Sequence, residues 1–308
     1  MNVLITGASG FAGRNLLGFL AEHGHPGTRL FAQYRTAALP AAFSGTAIRA
    51  DLGNSRETRE LIRASNPDCI LHLAGRTSGT RDELFCDNAL AAGNLLDAAR
   101  AGADSARIVL VSSAAVYGYA GGSPIPETAP YAPVSDYGAA KAAEELIAHA
   151  AAARYGLQIA VARPFNLCGP GQPSAFALGS VIRQTVELEH GAVDRLHLYS
   201  MDSRRDFIDV RDAVAAFWSI ATHPSFGSAC AGRAFNVASG KSASVREILA
   251  CIGEIRGRNI PFASEQVREM IPGQVADISR IREVTGWQPS ISLARTLQDM
   301  LAAEEKRR

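Results

Sequence analysis

Apolar and polar positions alternate along this chain in two rhythms that take turns. Residues 2–6 form a short apolar run closed by glycine, and residues 11–23 carry apolar positions at helical spacing. Runs at 29–34, 47–50, 69–73, 107–112 and 158–162 read as further strands, rich in Val, Ile and Leu. Between them, 55–64, 82–101 and 137–155 read as helices. Strands that are apolar throughout, each followed by a helix, predict a parallel sheet covered on both faces. The class is therefore α/β, a Rossmann-like doubly wound parallel sheet.

The rhythm loosens after Arg163, where Pro164, Gly169, Pro170, Gly171 and Pro173 mark an irregular loop. A helix at 178–189 follows, then a helix at 209–222 and a strand at 233–237 that return to the sheet. Residues 244–308 read as mostly helical with breaks. This pattern predicts a cofactor-binding domain from 1–165 plus 205–240 and a smaller C-terminal substrate-binding domain from 166–204 plus 241–308. Ligand is expected in the cleft beyond the carboxyl ends of the strands.

Composition narrows the function. The formal net charge of the 308 residues is +1, which gives no reason to expect nucleic acid as a partner. Five scattered cysteines without a CxxC pair argue against a disulfide framework or a metal site and fit a reducing compartment. The N-terminus lacks the pattern of a signal peptide, and no apolar stretch approaches the roughly 20 residues of a membrane helix. A soluble, cytoplasmic protein without a membrane partner is expected. Of 31 basic residues only Lys141, Lys241 and Lys306 are lysines, so a lysine inside a helix invites a specific reason.

The turn Gly7-Ala-Ser9-Gly10-Phe11-Ala-Gly13 follows a strand and opens a helix. Glycines there admit a pyrophosphate, and the helix start offers free N–H groups. The second strand ends in Gln33-Tyr34-Arg35, with no acid before Asp51 to take a ribose 2′-hydroxyl. Arg35, with Arg14, offers cations for a 2′-phosphate, so NADP(H) is favoured over NAD(H). Asp51 and Leu52 are expected beside the adenine, and Leu73, Ala74 and Pro164 along the cofactor. Tyr137 and Lys141 sit at i and i+4 of a helical stretch, where an ammonium one turn away favours the phenolate. Ser113 ends a central strand and faces the cleft, whereas Ser112 is expected to be satisfied by backbone.

Taken together, Gly7/Gly10/Gly13, Ser113-Ala-Ala-Val-Tyr-Gly118 and Tyr137xxxLys141 resemble the extended short-chain dehydrogenases that act on nucleotide sugars. The likeness continues through Arg163-Pro-Phe-Asn166, Arg204 to Asp212 and Thr285-Gly-Trp-Gln-Pro289. Within that group, 165–172 and 235–241 are most similar to the GDP-4-keto-6-deoxy-D-mannose reductases, although Leu167 and Cys168 replace the usual polar residues. The resemblance implies Ser113, Tyr137 and Lys141 as the catalytic set, with Arg205 and Arg268 on the substrate diphosphate and Asn166 on that diphosphate or on nearby backbone. It also implies that Asn88 organises backbone, and that the helices at 82–101 and 137–155 pair in a homodimer. Sugar dehydratases of this kind carry acids after the catalytic serine. Here Ala114 and Ala115 stand there, and alanine transfers no proton. The reading that follows is an NADPH-dependent reductase of the 4-keto group of a nucleotide-diphospho-4-keto-6-deoxyhexose, GDP-linked by preference, in deoxysugar biosynthesis. The alternatives are a 4-epimerase with tightly bound NAD, or a non-catalytic NADP-binding regulator, whose mark would be a broken Ser/Tyr/Lys set. The loops 76–81 and 118–134 are expected to shape the sugar pocket.

Overall fold

The computed structural model describes residues 1–24, 27–121, 124–265 and 271–307. The first half runs β1 (Asn2–Thr6), α1 (Phe11–His23), β2 (Arg29–Tyr34), β3 (Thr46–Arg49), α2 (Ser55–Ser65), β4 (Cys69–His72), α3 (Arg81–Phe85), α4 (Ala91–Gly102), β5 (Arg107–Val111), α5 (Asp136–Tyr155) and β6 (Gln158–Pro164). The rest comprises β7 (Asn166–Cys168), α6 (Ala177–Glu189), β8 (Leu196–Tyr199), β9 (Arg204–Asp209), α7 (Val210–Ala221), α8 (Phe226–Ala229), β10 (Ala234–Val237), β11 (Ser242–Ser244), α9 (Val245–Arg256), β12 (Phe262–Glu265), β13 (Gly273–Gln274), α10 (Ser279–Thr285) and α11 (Leu293–Glu305).

Seven strands form one sheet in the order β10-β6-β5-β4-β1-β2-β3, and every pairing in it is parallel. The chain leaves β1 toward β2 and β3, then returns to place β4 on its other side. That reversal opens a crevice at the carboxyl ends of β1 and β4, as doubly wound sheets require. One face of the sheet is sealed by Leu16, Leu20, Val214 and Phe217 of α1 and α7, the other by Leu61, Leu95 and Ala148 of α2, α4 and α5. A third apolar cluster joins Ile182, Val186, Ile252 and Leu297 of α6, α9 and α11.

Two sets of contacts join the parts that the sequence separates. Strand β9 pairs with β7, β11 and β13 in a separate sheet, not with the large one. Ile281 and Trp287, from the C-terminal stretch, pack into the cluster beneath the large sheet. Short strands such as β8, β12 and β13 escaped the reading of 244–308 and its flanks, because two to four residues carry too little period to register.

One helix differs in kind from its expectation. Residues 82–101 are not a continuous α-helix: Cys86–Leu90 forms a π-helical segment between α3 and α4. Such wide turns leave a backbone offset that places side chains at functional sites. Ser135 caps α5 by accepting from the Gly138 N–H at 3.1 Å, and Gly156 ends it in the left-handed region at φ +72°. No helix among the described residues is long and apolar enough to cross a membrane.

Candidate active site

The glycine turn lies at the reversal of the sheet. Gly7 takes φ +64°, and a β-carbon there would strike the Ala74 backbone at 2.6 Å, so the turn nests against the end of β4. Gln33 locks it from the neighbouring strand. Its Oε1 accepts from the Gly7 N–H at 2.8 Å, its carbonyl accepts from the Ala8 N–H at 3.0 Å, and its amide donates to the Ala50 carbonyl at 2.6 Å. No side chain caps the start of α1, so its first N–H groups are available to an anion. A pyrophosphate fits this cradle.

Two hollows meet at this turn and share Gly7, Gly10, Leu73 and Gly75. The smaller one, about 210 Å³, adds Ser9, Arg35, Asp51, Leu52 and Ala74. The larger one, about 610 Å³, adds Phe11, Gly13, Ser113, Tyr137, Lys141 and Pro164. Asn166 and Arg205 stand on its far wall. Residues distant in sequence are thus gathered on one continuous surface. Arg268 lies outside the described residues. Arg14 lines neither hollow: its guanidinium donates to the Ser9 and Ala38 carbonyls at 2.8 and 3.2 Å, holding the turn from outside.

Arg35 stands at the rim of the smaller hollow, where a fork to Asp87 at 2.8 and 3.0 Å holds it. Asp87 also accepts from Arg76 Nε at 2.8 Å, while Asp51 lies 4.0 Å from Arg35. The Arg35 hydrogen bond, with that of Arg76, holds the Asp87 carboxyl below the usual carboxylate range. The partner of Arg35 was not legible locally, because Asp87 is 52 residues away. Asp51 also serves its own turn, accepting from the Gly53 N–H at 2.9 Å.

At the centre, Ser113 follows β5 in extended backbone and its Oγ accepts from the Ala115 N–H at 3.1 Å. Gly138, beside Tyr137, abuts the Ala115 carbonyl; a β-carbon there would approach it to 2.5 Å. That contact sets the start of α5 against the serine loop. Lys141 is buried, and its Nζ donates to the Val111 carbonyl at 2.8 Å. Asn88, in the π segment, donates to the Arg76 and Leu84 carbonyls at 3.0 and 2.7 Å and accepts from the Arg76 N–H at 3.2 Å. It does organise backbone.

Ser112 departs from expectation. Its hydroxyl donates to the buried Glu145 carboxylate at 2.5 Å, not to backbone. Arg163 grips the same carboxylate at 2.7 to 3.1 Å and reaches the Tyr117 and Tyr131 hydroxyls at 2.8 and 3.2 Å. On the far wall, Asn166 donates to the Asp206 carbonyl at 2.9 Å, and Arg205 donates to Ser203 Oγ at 2.5 Å. Arg204 instead pairs with Glu247 at 3.0 Å. Asp206 accepts from Ser239 Oγ and from the N–H groups of Ser239, Gly240 and Ala276, a role no local pattern announced. Of the two loops expected to shape the pocket, Arg76 and Thr77 line it. The described residues of 118–134 do not, and Glu127 and Tyr131 instead bond Arg163.

Comparison with known proteins places these features in a lineage. The family model described as "NAD dependent epimerase/dehydratase family" matches residues 3–238. A GDP-6-deoxy-D-mannose reductase from Pseudomonas aeruginosa is 30% identical, covering 99% of this chain and 97% of the relative. A UDP-glucose 4-epimerase from Azospirillum brasilense is also 30% identical, covering 93% of this chain and 87% of its own length. Among solved structures, RMD from Pseudomonas aeruginosa complexed with NADPH superposes with a TM-score of 0.87 at 29% identity, covering all of both chains.

Proposed function

Because this chain belongs to the NAD dependent epimerase/dehydratase family and is an oxidoreductase using NAD(P), we propose that it reduces the 4-keto group of a nucleotide-diphospho-4-keto-6-deoxyhexose, GDP-linked, with NADPH. The observation that carries this reading is Arg35 at the rim of the smaller hollow, with no carboxylate ending β2. The similarity to a GDP-6-deoxy-D-mannose reductase supports the substrate class.

When bound, the reduced nicotinamide supplies a hydride to the ketone carbon. Tyr137 gives its phenolic proton to the carbonyl oxygen, and Ser113 donates a hydrogen bond to that same oxygen. The Lys141 ammonium stabilises the charge left on Tyr137. Asn166, Arg205 and Arg268 are assigned to the substrate diphosphate, for which guanidinium forks are suited. The division into a cofactor part, 1–165 with 205–240, and a sugar part, 166–204 with 241–308, belongs to the same proposal. So does a homodimer built on 82–101 and 137–155, where Leu90, at the end of the π segment, and Leu146 of α5 are 53% and 56% exposed. A single monomer boundary in sedimentation at micromolar protein would refute the dimer.

The test is NADPH oxidation with GDP-4-keto-6-deoxymannose, run beside Tyr137→Phe. The variant is expected to lose activity by about a hundred- to ten-thousand-fold. Activity retained in the variant overturns the assignment of Tyr137. One observation favours a second reading, a 4-epimerase with NAD: Asp87 already neutralises Arg35. Purified protein carrying bound NAD, and turnover without added cofactor, would establish that reading instead.

A further inference from the structure

Helix α5 carries two consecutive glutamates, and both are fully buried. Glu145 is richly satisfied by Arg163, Ser112 and Tyr131. Glu144 is not. It meets one cation, Lys141 Nζ at 2.5 Å, three residues earlier on the same helix. Apart from that ion pair, neither of its oxygens has a hydrogen-bond partner among the described residues. His72 Nε2 stands 3.7 Å from the second oxygen and also lacks a partner. The other ring nitrogen of His72 bonds Thr6 Oγ1 at 2.7 Å, at the lip of the glycine turn.

A buried carboxylate is costly unless it is paired, and the one cation that pairs with Glu144 is Lys141. Its use is legible in Lys141. The lysine is 4% exposed, and its other contact is a neutral carbonyl. Burial works to discharge such an ammonium. The Glu144 charge, with Tyr137 and Glu145, more than offsets burial, and Lys141 is held above the ordinary lysine range. Burial in turn pushes the Glu144 carboxyl up to about 7, against the pull of Lys141. The counter-charge is therefore fully present on the alkaline side, where Lys141 would otherwise lose its proton.

The titratable and charged groups facing this pair are few. From α5 they are Tyr137 and Glu145, from β6 Arg163 behind Glu145, and from β4 His72. His72 is pushed down to about 3, by burial first and Lys141 second, and is neutral. The neighbouring elements turn their charges elsewhere: Asp87 to Arg35 and Arg76, Arg81 to Asp136, and Arg100 to the Tyr155 ring.

We propose that Glu144 is a positioning residue for the proton-transfer pair: its carboxylate is the counter-charge that keeps Lys141 an ammonium inside the protein, so that reduction persists above neutral pH. The proposal rests on the reading of Tyr137 and Lys141 as that pair. The sign is fixed by the chemistry. Reduction needs the phenol protonated and the ammonium charged. Removing the Glu144 charge makes the Lys141 proton easier to lose, so the alkaline limb of the reduction rate moves to lower pH.

The chain has only three lysines, which makes a direct titration clean. Protein labelled with 13Cε-lysine is titrated by NMR, and Lys141→Arg identifies the Lys141 signal. In the native protein Lys141 is expected to remain an ammonium through about pH 9; discharge below that overturns the proposal without any variant. In Glu144→Gln its midpoint is expected to fall by about one pH unit or more, and the alkaline limb of NADPH-dependent reduction with it. Glu144→Asp, which keeps the charge, is expected to retain most of both. An unmoved Lys141 midpoint in Glu144→Gln, or an equal shift in Glu144→Asp, overturns the proposal. The lysine titration needs no turnover, so a failed substrate assignment leaves it readable. Activity surviving in Tyr137→Phe would instead condemn the reading beneath it.

Discussion

Two arginine–carboxylate clusters flank the cleft, and they differ in what surrounds them. At the rim of the smaller hollow, Arg35 and Arg76 share Asp87, with side chains 45%, 35% and 18% exposed. Behind Tyr137 and Lys141, Arg163 and Glu145 are 4% and 0% exposed. The chemistry is the same and the environment decides its role. A rim pair is screened by solvent and exchanges readily with an arriving phosphate. An interior pair cannot exchange, because each charge left alone would face a low-dielectric core. The rim suits recognition, and the interior cluster fixes the framework that aligns β5, β6 and α5.

Substitutions sharpen this contrast, beginning with the largest effect. Arg163→Met strands the Glu145 carboxylate and is expected to lower unfolding free energy by about 3–5 kcal/mol, read by urea denaturation. The double variant Arg163→Met with Glu145→Met is expected to recover much of that loss; if it does not, the pair is not the source of the single variant's cost. At the rim, effects are smaller and fall on binding. Arg35→Ala is expected to weaken NADPH about tenfold while leaving NADH nearly unchanged. Asp87→Asn releases Arg35 and is expected to tighten NADPH a few-fold, with a stability change of about 1 kcal/mol or less. Equal losses for the two cofactors in Arg35→Ala would sink the assignment of that arginine to the 2′-phosphate.

The two clusters also differ in how visible they were along the chain. Arg35 was legible as a cation after β2, because strand, turn and residue are contiguous. Its partner Asp87 was not, because it arrives from a π-helical segment where the sequence pattern predicted an unbroken helix. The π turn conserves apolar spacing closely enough to pass for α-helix, and only the backbone reveals the extra residue. Arg163 was visible within its motif, yet its carboxylate partner was hidden among alanines in α5. Ser112 was expected to bond backbone, and a hydroxyl that satisfies a buried charge cannot be told from one that does not without the fold.

What the sequence by itself determined was everything set by short covalent spacing. The glycine turn after a strand, the i and i+4 placement of Tyr137 and Lys141, and the parallel α/β order all follow from chain geometry within a few residues. Tertiary structure alone decided the pairing of charges: Asp87 with Arg35, Glu145 with Arg163, Glu144 with the lysine it was only known to follow, and Asp206 with the loop at Ser239. Spacing along one helix or strand is imposed by the backbone. Which charge meets which across the fold depends on burial and on contacts between distant segments, and these exist only once the sheet has closed.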